Sequence, residues 1–198
     1  MTRIFKLLAV LQGLAFTLAA IAPASLAAQV QSKELDSALE VSLTYNSTLA
    51  NVTTTRTFWM QGGALQVNGR VWRDLGIAGD VVALHTGNVN NSGVGLDLIS
   101  YTAGPRYTWR PSHGNATYFG EALAGVAHGA NSIFPTGGHI DSSSNSVALQ
   151  LGGGINLLVS RHLMVRAVEA DWLRTQFPNA TTDVQNNLLL GTGIAYRF

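Results

Sequence analysis

Seven charged residues spread along the chain could do chemistry together: Glu40, Arg70, Asp80, Arg106, Glu121, Glu169 and Asp171. They are carboxylates and guanidiniums, the groups that form short, directional ion pairs. Other chemistry is poorly signalled. The run Gly152–Gly154 lacks the Lys-Ser/Thr that follows a phosphate-binding loop. The five histidines, His85, His113, His128, His139 and His162, form no H-x-x-x-H pair. There is no cysteine, so disulfides and thiolate metal sites are excluded. Serines are plentiful, but a Ser/His/acid triad is defined by geometry rather than by spacing. No catalytic, metal or cofactor residue is therefore assigned, and the chain is expected not to be an enzyme.

Whether the seven charges meet depends on the elements that carry them. Eight segments read as strands, about 39–46, 58–72, 75–86, 94–109, 116–129, 145–159, 162–174 and 184–198. The first sets Leu39, Val41, Leu43 and Tyr45 against Glu40, Ser42, Thr44 and Asn46. The second sets Leu65, Val67 and Val71 against Gln66, Asn68 and Arg70, and the sixth Leu149, Leu151 and Ile155 against Gln150, Gly152 and Asn156. Such alternation gives each strand one apolar and one slim, wettable face. Connections alternate between longer loops (47–57, 87–93, 130–144, 175–183) and tight turns (73–74, 111–115, 160–161). The pattern predicts an all-β, eight-stranded antiparallel up-and-down transmembrane β-barrel with long loops on one rim.

Parity then places Glu40, Arg70, Asp80, Arg106 and Glu121 inside. Strand seven is ambiguous, but Glu169 and Asp171 share a parity and are expected to join them. Arg106 and Glu121, on neighbouring strands, are the expected ion pair, because an unpaired buried charge is costly. The network could act as a gate whose ion pairs exchange partners, or simply fill the space. An eight-stranded barrel is just wide enough for side chains, which favours the filling role. Gly104-Pro105 is read as a barrel-shaping device, because proline removes a ladder hydrogen bond.

The two ends support this reading. Arg3 and Lys6, an apolar stretch from Leu7 to about Ala22, and small residues to Ala28 form the pattern of a cleaved signal peptide over 1–28. Residues 29–38 follow as a periplasmic lead-in, and 39–198 form the barrel domain. Beyond the signal the chain carries 10 basic and 11 acidic residues, a balance that gives no reason to expect nucleic acid as a partner. The last strand puts Ile194, Tyr196 and Phe198 on its bulky face. Trp59, Trp72, Tyr101, Tyr107, Trp109, Tyr118, Trp172 and Tyr196 mostly read as interface belts.

With Gly104-Pro105-Arg106-Tyr107, the run from Phe119 to His128, and Gly152-Gly153-Gly154-Ile155-Asn156 through His162 into Arg166 and Asp171-Trp172, the chain resembles the OmpA-like eight-stranded outer-membrane β-barrel domain family, in its small single-domain, acidobacterial form. The resemblance implies a cell outer-membrane location in a Gram-negative bacterium. It also implies that Ile194, Tyr196 and Phe198 are a C-terminal signal read by the outer-membrane assembly machinery. The expected partners are outer-membrane lipid and lipopolysaccharide, that machinery and periplasmic chaperones, with the barrel a monomer. The family is defined by fold, so activity is not carried over. The expected role is structural or surface-interacting, with a lumen plugged by polar and charged side chains. The alternatives are a narrow porin-like channel and a lipid-modifying enzyme. A soluble barrel for an apolar ligand would need the opposite parity, apolar inside and polar outside.

Overall fold

The computed structural model describes residues 39–52, 57–136, 138–179 and 182–198. The expected signal peptide (1–28) and lead-in (29–38) lie outside the described residues. Eight strands follow in order: β1 (Leu39–Ala50), β2 (Phe58–Trp72), β3 (Leu75–Thr86), β4 (Leu96–Trp109), β5 (Ala116–Thr136), β6 (His139–Leu158), β7 (Leu163–Thr175) and β8 (Gln185–Arg197). Each pairs antiparallel with its neighbours in sequence, and β1 pairs with β8 to close the barrel. Closure leaves no strand edge unpaired. No helix among the described residues is long and apolar enough to cross a membrane, which says nothing of spanning strands.

The parity read from the sequence is the parity of the wall. Leu65, Val67, Val147, Leu149 and Leu151 are exposed on the outside, while Gln66, Asn68, Gln150 and Asn156 are buried within. In β8, Ile194, Tyr196 and Phe198 point outward and Ala195 inward. Tyr196 lies 5.0 Å from Phe198 and 5.8 Å from the His162 ring, so the turn-side rim carries an outward aromatic cluster. Trp109 and Tyr118, 5.3 Å apart, extend it around the rim. A soluble ligand-binding barrel would show the opposite arrangement.

Two expectations about the elements need correction. Residues 130–144 are not a loop. Strands β5 and β6 continue through them as a hairpin, with extra residues on β5 between Ala130 and Phe134. Asn131, at φ 55°, makes that bulge. The bulge turns Phe134 inward, where it is buried 5.5 Å from Phe177, and this contact holds the hairpin to the barrel mouth. The second correction concerns the filling. The loop-side part of the lumen is apolar: Met60, Val82, Leu84, Leu98, Leu173 and Leu189 form one buried cluster with Phe134 and Phe177. Thr48, Thr175 and Asn187 are buried beside this cluster, while the charged residues lie in the middle and on the turn side.

Pro105 interrupts the β4–β5 pairing without displacing it. Ala103 pairs with Ala124 and Arg106 with Glu121 in one register, while Gly104 and Pro105 pair only with β3. The missing proline N–H therefore costs ladder bonds on one side and creates no bulge.

Candidate functional site

The charged lumen is assembled from strands that lie far apart in sequence. Glu40 enters from β1, Gln66 from β2, Asp80 from β3, Arg106 from β4, Glu121 from β5, Asn156 from β6, and Arg166, Glu169 and Asp171 from β7. Their side chains meet because each occupies the inward parity of its strand at a similar height. All of these residues are less than 8% exposed. The backbone of the wall is largely engaged in ladders, so the buried side chains must satisfy one another.

Arg106 and Arg166 are the two hubs. Arg106 Nη2 donates to Glu40 Oε1 at 3.1 Å, its Nη1 lies 3.6 Å from Glu121 Oε2, and Nη1 also donates to Gln66 Oε1. Arg166 Nη1 donates to Glu169 Oε1 at 2.7 Å, and its Nε to Asn156 Oδ1 at 3.2 Å. Both guanidiniums approach Glu40, whose other oxygen lies 3.5 Å from Arg197. Gln66 bridges the hubs to Glu121, donating to its Oε1 at 2.9 Å. The Phe119 ring lies between the two guanidiniums, 3.7 Å from Arg106 and 4.7 Å from Arg166. An aromatic face stabilises a desolvated cation, so Phe119 supports like charges that would otherwise repel. Gly154 makes room for the ring: a Cβ there would sit 2.8 Å from Phe119 Cζ.

The acids are stacked toward the middle of the barrel. Glu121 and Asp171 pair with Gly152 from its two sides, and Glu169 pairs with Gly154. A Cβ at Gly152 would collide with the Asp171 carboxylate. Ligand oxygens of Glu121, Glu169 and Asp171 lie within 4.8 Å of one another. Asp80 stands in the same layer, accepting from Gln150 at 3.0 Å, and Gln150 accepts in turn from Thr102 at 3.3 Å.

Six of the seven sequence-predicted residues thus come together, and the expected Arg106–Glu121 contact is present. Arg70 is the exception. It is half-buried at the turn-side end of β2, opposite Gly76, where the ladder shifts before Trp72. Its neighbourhood is the rim that also holds Arg110 and Asp74, which are paired at 3.1 Å. Arg166 takes the central place instead. Inward parity in β7 runs Met164, Arg166 and then Glu169, Asp171, Leu173, because the strand carries one extra residue between Arg166 and Glu169. That bulge lets Arg166 and Glu169, three apart, face each other. The outward apolar set shows the same change of parity, from Leu163 and Val165 to Val168 and Ala170, and this is the signal that could have revealed Arg166.

The histidines lie elsewhere. His85 pairs with Asp97 at 2.5 Å on the outer face of the loop-side rim. His128 contacts Asn145 at 2.7 Å, His162 contacts the Arg197 carbonyl at 2.8 Å, and His113 contacts Ser112 at 3.1 Å. His139 is exposed on the β5–β6 hairpin. Among the described residues, no histidine hydrogen-bonds both a carboxylate and a serine, so no triad is assembled.

No protein-family model matches the chain, and no curated protein matches it. Solved structures do. Neisserial surface protein A (NspA) superposes with a TM-score of 0.65 at 15% identity, over 82% of this chain and 98% of that one. Ail, the attachment invasion locus protein of Yersinia pestis, gives a TM-score of 0.54 at 19% identity, over 83% of this chain and 100% of that one. Ail in complex with the heparin analogue sucrose octasulfate gives 0.50 at 19% identity, over 81% and 97%. The chain shares their fold. At these identities the likeness extends to the eight-stranded wall and not to what the wall carries.

Proposed function

We propose that the chain is an integral protein of a Gram-negative outer membrane with a structural or surface-interaction role, and that its lumen is closed to ions. The observation that carries this reading is the inverted wall. Apolar side chains cover the outside, aromatic residues stand on the turn-side rim, and the inward side chains are buried. Such a surface is stable in a lipid slab, and a closed barrel is a strand architecture that can span one. An exported precursor with residues 1–28 removed, and delivery by chaperones and assembly machinery that read Ile194, Tyr196 and Phe198, belong to the same reading. So do lipopolysaccharide as the surrounding lipid, a monomeric state and OmpA-like kinship.

Surface interaction would fall to the rim that bears the longer connections. Segments 47–57, 87–93, 130–144 and 175–183 hold a single arginine, Arg56, and no lysine. Binding of a sulfated polyanion, as in the Ail complex, is therefore not proposed for this chain. Polar, uncharged contacts suit these Ser/Thr/Asn-rich segments better.

The test has two parts. The mature protein folded in detergent is expected to migrate differently before and after boiling, and to fractionate with outer membranes. In planar bilayers it is expected to leave conductance at baseline. Discrete openings would sink the closed-lumen reading in favour of a narrow channel. A detergent-free soluble form with no boiling shift would sink the membrane reading itself.

A further inference from the structure

The lumen holds more negative than positive charge. Five buried carboxylates, Glu40, Asp80, Glu121, Glu169 and Asp171, face three guanidiniums within ion-pair distance, those of Arg106, Arg166 and Arg197. These five carboxylates outnumber the three guanidiniums, and a buried charge without a partner is expensive. The excess is localised. The Arg contacts converge on Glu40 at the turn side, whereas Asp171 makes no hydrogen bond or ion pair and its Oδ1 is an orphan.

A second, separate observation comes from β1, one strand beyond β8. Asn46 of β1 is 2% exposed, and its amide oxygen Oδ1 has no hydrogen-bond partner. It points at the same space. A Cβ added at Gly191 would collide with Asn46 Oδ1 and would lie 3.3 Å from Glu169 Oε2. Glu169 Oε1 is held by Arg166, so Oε2 is the oxygen turned toward Asn46. Glu121 divides its oxygens likewise: Oε1 accepts from Gln66, and Oε2 has no hydrogen bond. The unpartnered amide oxygen of Asn46 thus shares the space over Gly191 with Glu169 Oε2, beside the cluster of Glu121, Glu169 and Asp171.

We propose that Glu121, Glu169, Asp171 and Asn46 bind one divalent cation of the calcium type in the middle of the barrel. The donors are all hard oxygens, the set that calcium takes, at about 2.3–2.6 Å. Ligands on opposite sides of such an ion stand about 5 Å apart. The three carboxylate oxygens lie within 4.8 Å of one another, a span that one ion can bridge. The donors come from three strands and are irregularly arranged, which calcium tolerates better than magnesium. Gln66 holds Oε1 of Glu121 and Arg166 holds Oε1 of Glu169, which orients the other oxygen of each; Arg106 Nη1 stands 3.6 Å from Glu121 Oε2. This inference rests on the fold and on lumen charge, not on the proposed membrane role or on whether the barrel conducts.

The experiment is metal analysis of the mature protein folded in detergent with CaCl2 and then desalted, beside protein folded in EDTA. The expected result is about one calcium per barrel and a higher urea midpoint for the calcium form, read by the boiled-against-unboiled mobility. Asp171→Asn and Glu121→Gln should each lose the bound calcium, with affinity down at least tenfold. Asp141→Asn, on the exposed hairpin, should keep it. If the lumen variants do not fold, the calcium-against-EDTA comparison of the unaltered protein still decides. No calcium retained and identical urea midpoints would overturn the site and mean that protons neutralise the excess. Retention of zinc in place of calcium would overturn the oxygen-donor assignment.

Discussion

Along β6 the inward residues run Ala148, Gln150, Gly152, Gly154, Asn156, and over these five positions the lumen beside them changes from apolar to charged. On the loop side, Met60, Leu84, Leu98, Leu173 and Leu189 fill the barrel as an ordinary core does. On the turn side, Arg106 and Arg166 fill it with partners drawn from five strands. Both halves exclude solvent, but they fail differently. An apolar layer loses stability in proportion to the volume removed. A charged layer loses little until one partner goes, and then it strands the others. The charged half also does something that the apolar half cannot. A strand that is apolar on both faces does not specify which face turns inward, since a one-residue slip exchanges them. Leu188-Leu189-Leu190 is such a stretch, and its sidedness is fixed by Gly191, Gly193 and Ala195 further along β8.

The contrast can be broken most sharply at Arg166. Replacing it with alanine leaves Glu169 and Asn156 without their donor, and the expected loss is about 3–5 kcal/mol in urea unfolding of the folded barrel. A loss under 1 kcal/mol would mean that water or protons compensate the turn-side half freely. Leu173→Ala, fully buried on the loop side, is expected to cost about 2–4 kcal/mol by the same assay, with the cost following cavity volume. Gly152→Ala probes the boundary between the halves. Its methyl would meet the Asp171 carboxylate and the Ala170 carbonyl, for an expected loss of about 1–3 kcal/mol. Combining it with Asp171→Ala should recover part of that loss, as a double-mutant cycle would report. The smallest effect is expected from Phe134→Leu, which keeps bulk but loses the ring contact with Phe177, at about 0.5–1.5 kcal/mol. It should also raise protease sensitivity in the 130–144 hairpin while leaving the barrel's mobility shift intact.

Legibility in the sequence followed the same division. Where the two faces differ chemically, as in β1, β2 and β6, alternation alone located the strand and its inward side. The ion pair between Arg106 and Glu121 was readable because adjacent strands in a meander bring fixed positions together. Arg166 was not readable by simple parity, because one extra residue in β7 reverses the alternation partway along the strand. Arg70 was placed inward correctly in parity but too centrally, since height along the barrel depends on strand stagger rather than on alternation. The hairpin over 130–144 hid behind its Gly, Ser and Pro content. Those residues weaken a strand signal, while the feature that fixes the hairpin, Phe134 against Phe177, joins distant segments. The apolar loop-side filling escaped notice because Met60, Leu98 and Leu173 look the same in sequence whether they face lipid or core.

The seam between β1 and β8 sets a condition on how the molecule can come into being. Glu40 sits opposite Arg197, and the Phe198 amide donates to the Leu39 carbonyl at 3.1 Å. These contacts span almost the entire described chain, so their contact order is as high as this topology permits. Every other strand pair is a local hairpin that can zip early. The seam cannot, because closing a long loop costs entropy before any bond repays it. Folding is therefore expected to end with one slow, all-or-none step that waits for the final strand to arrive. Until then the molecule is an open sheet with two adhesive edges.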